Sequence, residues 1–167
     1  MKEKKEHPLA MLPPETPVTV IDEHLLTRAK AAAAQSPRKR IILPLHKQGE
    51  DLLQRMLNVL QPGTYIRPHR HAAHRAESIV VLSGAIRYIT FNDDGEVLQQ
   101  IELKAQSAQI GVDTAGGIYH CFIALEPDTV LFEVKPGPYE AANDKEFAPW
   151  APEEYSEGAG EYLTALS

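Results

Sequence analysis

The stretch "RPHRHAAHRAESIVVLSG", residues 67–84, sets His69, His71 and His74 within six positions, follows them with Glu77, and closes an apolar run on Gly84. Two readings compete: a metal site at the end of a strand, or a polar loop between strands that is merely histidine-rich. If "YIRPHRH" (65–71) is extended, His69 and His71 lie two apart and project from one face, so both can reach a single ion. Glu77 opens the next strand and is expected to meet them across an antiparallel pair. The fourth member is His120 in "GGIYHCFIAL" (116–125), where Gly116 and Gly117 let the backbone turn before an apolar strand delivers the imidazole.

Three neutral imidazoles and one carboxylate suit a first-row divalent metal, Zn, Fe, Mn or Ni, and leave open positions for water or substrate. A closed structural site would use thiolates. Taken singly, each histidine is more often a satisfied polar residue than a ligand; the four together point to an ion. His74 reads as a solvent-facing loop residue, with a competing role as a loop ligand.

Composition narrows the function classes. The 167 residues suit one domain, and thirteen prolines favour strands, turns and irregular arms over a helical bundle. Seventeen Lys and Arg against 23 Asp and Glu give a net charge of −6, which leaves no basic stripe for a nucleic-acid backbone. The single cysteine, Cys121, has no intramolecular partner, and no apolar run approaches the roughly twenty residues of a membrane span. The N-terminal "MKEKKEHPLAMLPPETP" lacks the apolar core of a signal peptide, so the cytoplasm is the expected compartment.

Along the chain, residues 1–20 read as a flexible arm and 156–167 as a tail or short final helix, with the folded domain at 21–155. Asp22 is a plausible N-cap for a helix over "DEHLLTRAKAAAAQS" (22–36), which Pro37 stops. "RIILPLH" reads as a strand, and the second half of "EDLLQRMLNVLQPG" as another. Turn signals then recur between "ESIVVL", "AIRYITF", "VLQQIEL", "IYHCFIAL" and "TVLFEV", which implies an all-β sandwich or barrel with a short N-terminal helix and irregular terminal arms. "FNDDGEV" (91–97) is the clearest hairpin, with Asp94 and Gly95 expected to supply positive φ angles.

Other residues carry alternatives. Arg67 shares strand parity with the histidines and either enters the cavity to bind an anionic substrate group or makes a rim salt bridge. Glu133 and Lys135, of equal parity on the last strand, either line the cavity as acid and base or form a solvated strand face, the commoner case. Tyr119 and Cys121 flank His120 and should point the other way, the thiol as a packed apolar group. Trp150 is expected to dock the C-terminal arm on the sheet.

The stretch "PGTYIRPHRHAAHRAESIVVLSG" resembles the first cupin motif, with Gly63, His69, His71, Glu77 and Gly84 in its places, and "GGIYH" resembles the second through Gly117 and His120. "RPHRH", "FNDDGEV" and "FEVKPGPYEAANDKEFAPWAPEE" are similar to the WbuC family of cupin-fold metalloproteins, over about residues 25–155. Five residues separate His71 from Glu77 where cupins commonly have three or four, and the second motif has Ala115 near its usual proline and Ala124 for its terminal asparagine. The resemblance implies a double-stranded β-helix, a jelly-roll-like barrel, holding a divalent transition metal on His69, His71, Glu77 and His120. It also implies a small-molecule substrate, for which Arg67, by its strand parity with the histidines, is the expected substrate-binding residue. An isomerase or epimerase of sugars or nucleotide-sugars in bacterial surface-polysaccharide metabolism is one reading. A non-catalytic binding or sensing module and an Fe(II)-dependent dioxygenase are the alternatives. A homodimer is expected, since cupin barrels often pair through edge strands.

Overall fold

A computed structural model describes residues 8–167; the first seven residues, part of the arm expected over 1–20, lie outside the described residues. The Asp22 carboxylate accepts the Leu25 amide at 2.9 Å and so caps helix α1 (Glu23–Gln35), satisfying a donor that the first turn leaves open. The helix ends at Ser36, because the residue before Pro37 is driven out of the helical region.

The β elements are β1 (Arg40–Pro44), β2 (Leu53–Leu60), β3 (His69–Arg70), β4 (Glu77–Ser83), β5 (Ala85–Phe91), β6 (Val97–Lys104), β7 (Gly111–Thr114), β8 (Tyr119–Ala124), β9 (Thr129–Pro136) and β10 (Glu146–Phe147). Helix α2 (Glu157–Leu166) follows, as the final helix read from "EGAGEYLTAL". The strands form two five-stranded sheets, β1-β2-β9-β4-β7 and β10-β3-β8-β5-β6, paired antiparallel throughout. The chain switches sheets at every step from β2 to β5 and again at every step from β6 to β10, which winds it into a double-stranded β-helix.

Both sheets are covered on both faces, and this explains why β8 is buried at every position instead of alternating. Between the sheets, Leu60, Ile79, Ile86, Tyr88, Phe122 and Leu131 form one core. Outside the first sheet, Ala29 and Ala33 of α1 rest on Ile41, Leu43, Leu57 and Val59. Outside the second, Cys121, Ile123 and Phe91 meet Ala148, Ala151 and Leu166 of the C-terminal segment. Trp150 docks that segment: its ring lies 5.1 Å from Phe91, and its Nε1 donates to the Asp93 carbonyl.

The β5–β6 hairpin differs from expectation. Gly95 alone takes a positive φ, +92°, while Asp94 does not. The Asn92 carboxamide oxygen accepts the Asp94 and Glu96 amides, and the register slips between Thr90 and Phe91, so the loop is longer than a two-residue turn. A Cβ on Gly95 would also meet the Trp150 ring at 2.8 Å, so only glycine serves here. Among the described residues, no helix is long and apolar enough to cross a membrane.

Candidate metal centre

The two-residue strand β3 pairs with β8 so that His69 lies opposite His120. A glycine turn makes this approach available. Gly117 has φ +84° and donates its amide to the His71 carbonyl at 2.8 Å, and a Cβ on Gly116 would strike the Ala72 carbonyl at 2.2 Å. The loop after His71 is thereby held against the strand that carries His120.

His69, His71 and His120 are all buried, and one nitrogen from each lies within 4.8 Å of the others. Glu77 completes the group from the opposite sheet: Oε1 is 3.2 Å from His71 Nε2, and Oε2 is 3.2 Å from His120 Nε2. The expectation that Glu77 meets the histidines along an antiparallel pair is corrected here. β4 pairs with β7 and β9, so the carboxylate reaches across the barrel interior. His74 is exposed and lies outside the cluster.

Each imidazole is oriented by its far nitrogen. His69 Nδ1 donates to the Arg67 carbonyl at 2.9 Å, His71 Nδ1 to the Asp144 carbonyl at 2.6 Å, and His120 Nδ1 to the Ile118 carbonyl at 2.9 Å. With the proton on Nδ1, Nε2 of a neutral ring presents a lone pair. Lone pairs on His71 and His120 then face carboxylate oxygens, an arrangement that needs a cation or a proton between them. His120 Nε2 is buried without a hydrogen-bond partner despite its closeness to Glu77. Buried polar atoms of this kind are rare unless something else satisfies them. The donor set of three imidazole nitrogens and one carboxylate fits a divalent first-row metal.

The electrostatics agree with those roles. Burial, then the Lys145 charge and His120, hold His69 well below the ordinary histidine pKa, in its neutral form. Burial opposes charge on Glu77, yet the adjoining His120 and His71 rings and the Lys135 charge together outweigh it and hold the carboxyl well below the usual carboxylate range.

Beside the centre lies a polar wall, the rarer of the two placements open to Glu133 and Lys135 from their sequence. Glu133 and Lys135 are 5% and 7% exposed, which corrects the solvated-face reading of that pair. The Asn58 carboxamide donates to Glu133 Oε2 at 2.5 Å, and Lys135 Nζ lies 3.6 Å from Glu133 Oε1 and 3.2 Å from Asp144 Oδ2. Glu133 is pushed up to about 7, first by burial and then by the Glu77 charge. Burial opposes the Lys135 charge, yet Glu133 and Asp144 raise its pKa. Asn58 and Asp144 carried no signal in the sequence. Alternation along β2 marks Asn58 as inward only once the strand is known.

A cavity of about 370 Å³ opens onto this site and is lined by His69, Glu77, Asn58, Glu133, Arg67 and Lys145 among others. Arg67 lines the cavity and also lies 3.8 Å from the rim residue Glu153. Tyr119 and Cys121 point to the outer face, where burial pushes the thiol up to about 12.

Among known proteins, a domain of unknown function, DUF6016, matches residues 21–103, and no curated protein matches the chain. KdgF from Halomonas sp. has a similar structure, with a TM-score of 0.50 and 16% identity, covering 65% of this chain and 87% of that one. Oxalate decarboxylase from Bacillus subtilis follows at TM-score 0.47 and 19% identity, over 57% of this chain and 24% of its own. The formate complex of Lactobacillus farciminis oxalate decarboxylase gives 0.46 and 21%, over 59% and 28%. The chain thus spans about a quarter of the decarboxylase chains. KdgF is a cupin-fold protein, and its likeness together with the two wound sheets shows that this chain folds as a cupin barrel.

Proposed function

We propose that the protein binds a divalent transition metal through His69, His71, Glu77 and His120 and acts on a small polar molecule in the adjoining cavity. The observation that carries this reading is the pinning of all three Nδ1 atoms to backbone carbonyls, which frees the Nε2 atoms to converge beside a carboxylate. Such a metal supplies Lewis acidity, polarising a carbonyl or favouring an enediolate.

The chain's own residues supply the proton chemistry of an isomerase or epimerase. Glu133 lines the cavity and burial favours its protonated form, so it can take and return a proton at Oε1, while the Asn58 amide holds Oε2 in place. Lys135, fixed between Glu133 and Asp144, keeps a positive charge beside the carboxylate as it changes state. This placed acid supports catalysis over the non-catalytic binding module. The likeness of "KPGPY" and "DKEFAPWAPEE" to WbuC proteins supports a sugar-type substrate of bacterial surface-polysaccharide metabolism. The pairing of two chains as a homodimer belongs to the same proposal, and the exposed Val97 and Leu98 on the edge strand β6 support it.

The test is metal content by plasma mass spectrometry on protein purified without chelator or nickel affinity, alongside His71→Ala and His120→Ala. Near-stoichiometric metal lost in both variants is expected. Iron would direct the next assay to oxygen chemistry, and manganese or zinc to isomerisation. No metal in the wild type after reconstitution with each candidate ion would overturn the reading.

A further inference from the structure

We propose that Arg67 and Lys145 form an anion seat at the cavity wall, so that the ligand is a small acid and not a neutral molecule. This deepens the reading above, on which it rests for the placement of the ligand's remaining groups.

Four cations line the cavity, and they are not equivalent. Arg38 and Arg40 are occupied by Glu154, at 3.1 and 2.8 Å. Arg67 is not. Its Nη2 donates to the Ala148 carbonyl at 3.0 Å, but its Nε is buried without a partner. The nearest carboxylate, Glu153, stands 3.8 Å away with its side chain 81% exposed, so water screens the pair. Lys145 makes no ion pair or hydrogen bond among the described residues. Its residue is exposed as a whole, yet it lines the cavity and its charge bears on His69. A buried guanidinium N–H without an acceptor, as at Arg67 Nε, is costly, and a bound anion removes that cost.

Arg67, whose one carboxylate partner is solvent-exposed, and Lys145 line the same cavity as His69 and Glu77. The Phe147 ring has the Arg67 guanidinium carbon 5.2 Å from its centroid, the Lys145 ammonium 6.0 Å, and the His69 ring 6.3 Å. Phe147 is itself the register partner of His69 through the β10–β3 ladder. Arg67, Lys145 and His69 thus all neighbour the Phe147 ring, and the seat lies at that ring on the cavity wall that also carries His69. Asn58 and Glu133, which also line the cavity, are available for hydroxyl or carbonyl oxygens. Arg67 offers a planar fork that matches carboxylate or phosphate oxygens, whereas Lys145 offers a point charge. A volume of about 370 Å³ lies near the lower end of the roughly 300–1,000 Å³ of ligand pockets. That favours a single sugar-sized acid over a nucleotide-sugar.

The experiment is isothermal titration calorimetry of the full chain, metal-loaded and metal-stripped, with three probes on one ring: glucose, glucuronate and glucose 6-phosphate. At least one acid should bind about tenfold or more tighter than glucose, equivalent to about 1.4 kcal/mol. Lys145→Gln and Arg67→Gln should each weaken that acid by about tenfold while metal content stays at the wild-type level. Preference for glucuronate assigns a carboxylate ligand, and preference for the phosphate ester a phosphorylated one. Acid binding that persists without metal and still depends on Lys145 would uphold the seat even if the metal reading fails. Glucose binding as tightly as both acids, neither acid binding, or acid affinity unchanged in both variants would overturn it.

Discussion

The two ends of the barrel interior are built on the same strands yet hold opposite chemistry. Along β8, His120 faces in at one end, and Phe122 and Ala124 at the other. β4 repeats the division with Glu77 against Ile79 and Val81, β9 with Glu133 and Lys135 against Leu131, and β2 with Asn58 against Leu60. One end is a dry core that a fold of this size needs for stability; the other concentrates buried charge that opposes stability unless it is paired or occupied. Tyr88 sits on the boundary, its ring 5.5 Å from His120 and 6.5 Å from Phe122, and its hydroxyl bonded to Thr114. The difference teaches that inward orientation alone does not make a core position in this barrel.

Breaking the apolar end should cost most. Leu131→Ala, at a fully buried site, is expected to lose about 2–5 kcal/mol of unfolding free energy in denaturant titrations. The loss should be equal in metal-loaded and metal-stripped protein, since the side chain is remote from the ligand atoms. At the polar end, His120→Ala should weaken metal affinity by more than about 100-fold in competition titrations, beyond the range seen for outer partners of ligands. That variant should also lose the extra thermal stability that metal confers on the wild type.

A smaller effect would sharpen the contrast. Asp144 touches the centre through its carbonyl, which accepts from His71 Nδ1, while its carboxylate is held by Lys135 and by Arg75 at 3.7 Å. Asp144→Asn should therefore lower metal affinity by about tenfold with all proposed ligands intact. Asp144→Glu should recover part of it. The least change is expected outside the barrel. Cys121, buried with its thiol pushed up to about 12, should resist a thiol reagent at pH 8 until denaturant is added, because almost no thiolate is present there.

How far the sequence discloses this molecule follows from the same division. Turn residues and β-branched runs disclose most of the strands, and the Asp22 cap discloses α1. The histidines are legible because His-x-His on a strand and a histidine after paired glycines are local patterns. Glu133 and Lys135 are not, since alternation reads the same whether a polar face meets solvent or a closed cavity. The opposing sheet decides between them, and its position is a property of the whole fold. The Asp144 carbonyl is less visible still, because any residue there would supply the acceptor. Glu77 was legible as a residue but not in its geometry: β3 and β4 look sequential in the chain, yet they belong to different sheets.

The most direct test of the central claim, that three imidazoles pinned by their Nδ1 atoms present Nε2 to one ion, is X-ray absorption spectroscopy at the edge of the bound metal. The expected result is a first shell of nitrogen and oxygen at about 2.0–2.2 Å, with the outer-shell scattering of three imidazoles that falls to two in His69→Ala. A shell with one imidazole or none, or one unchanged by that substitution, would contradict it.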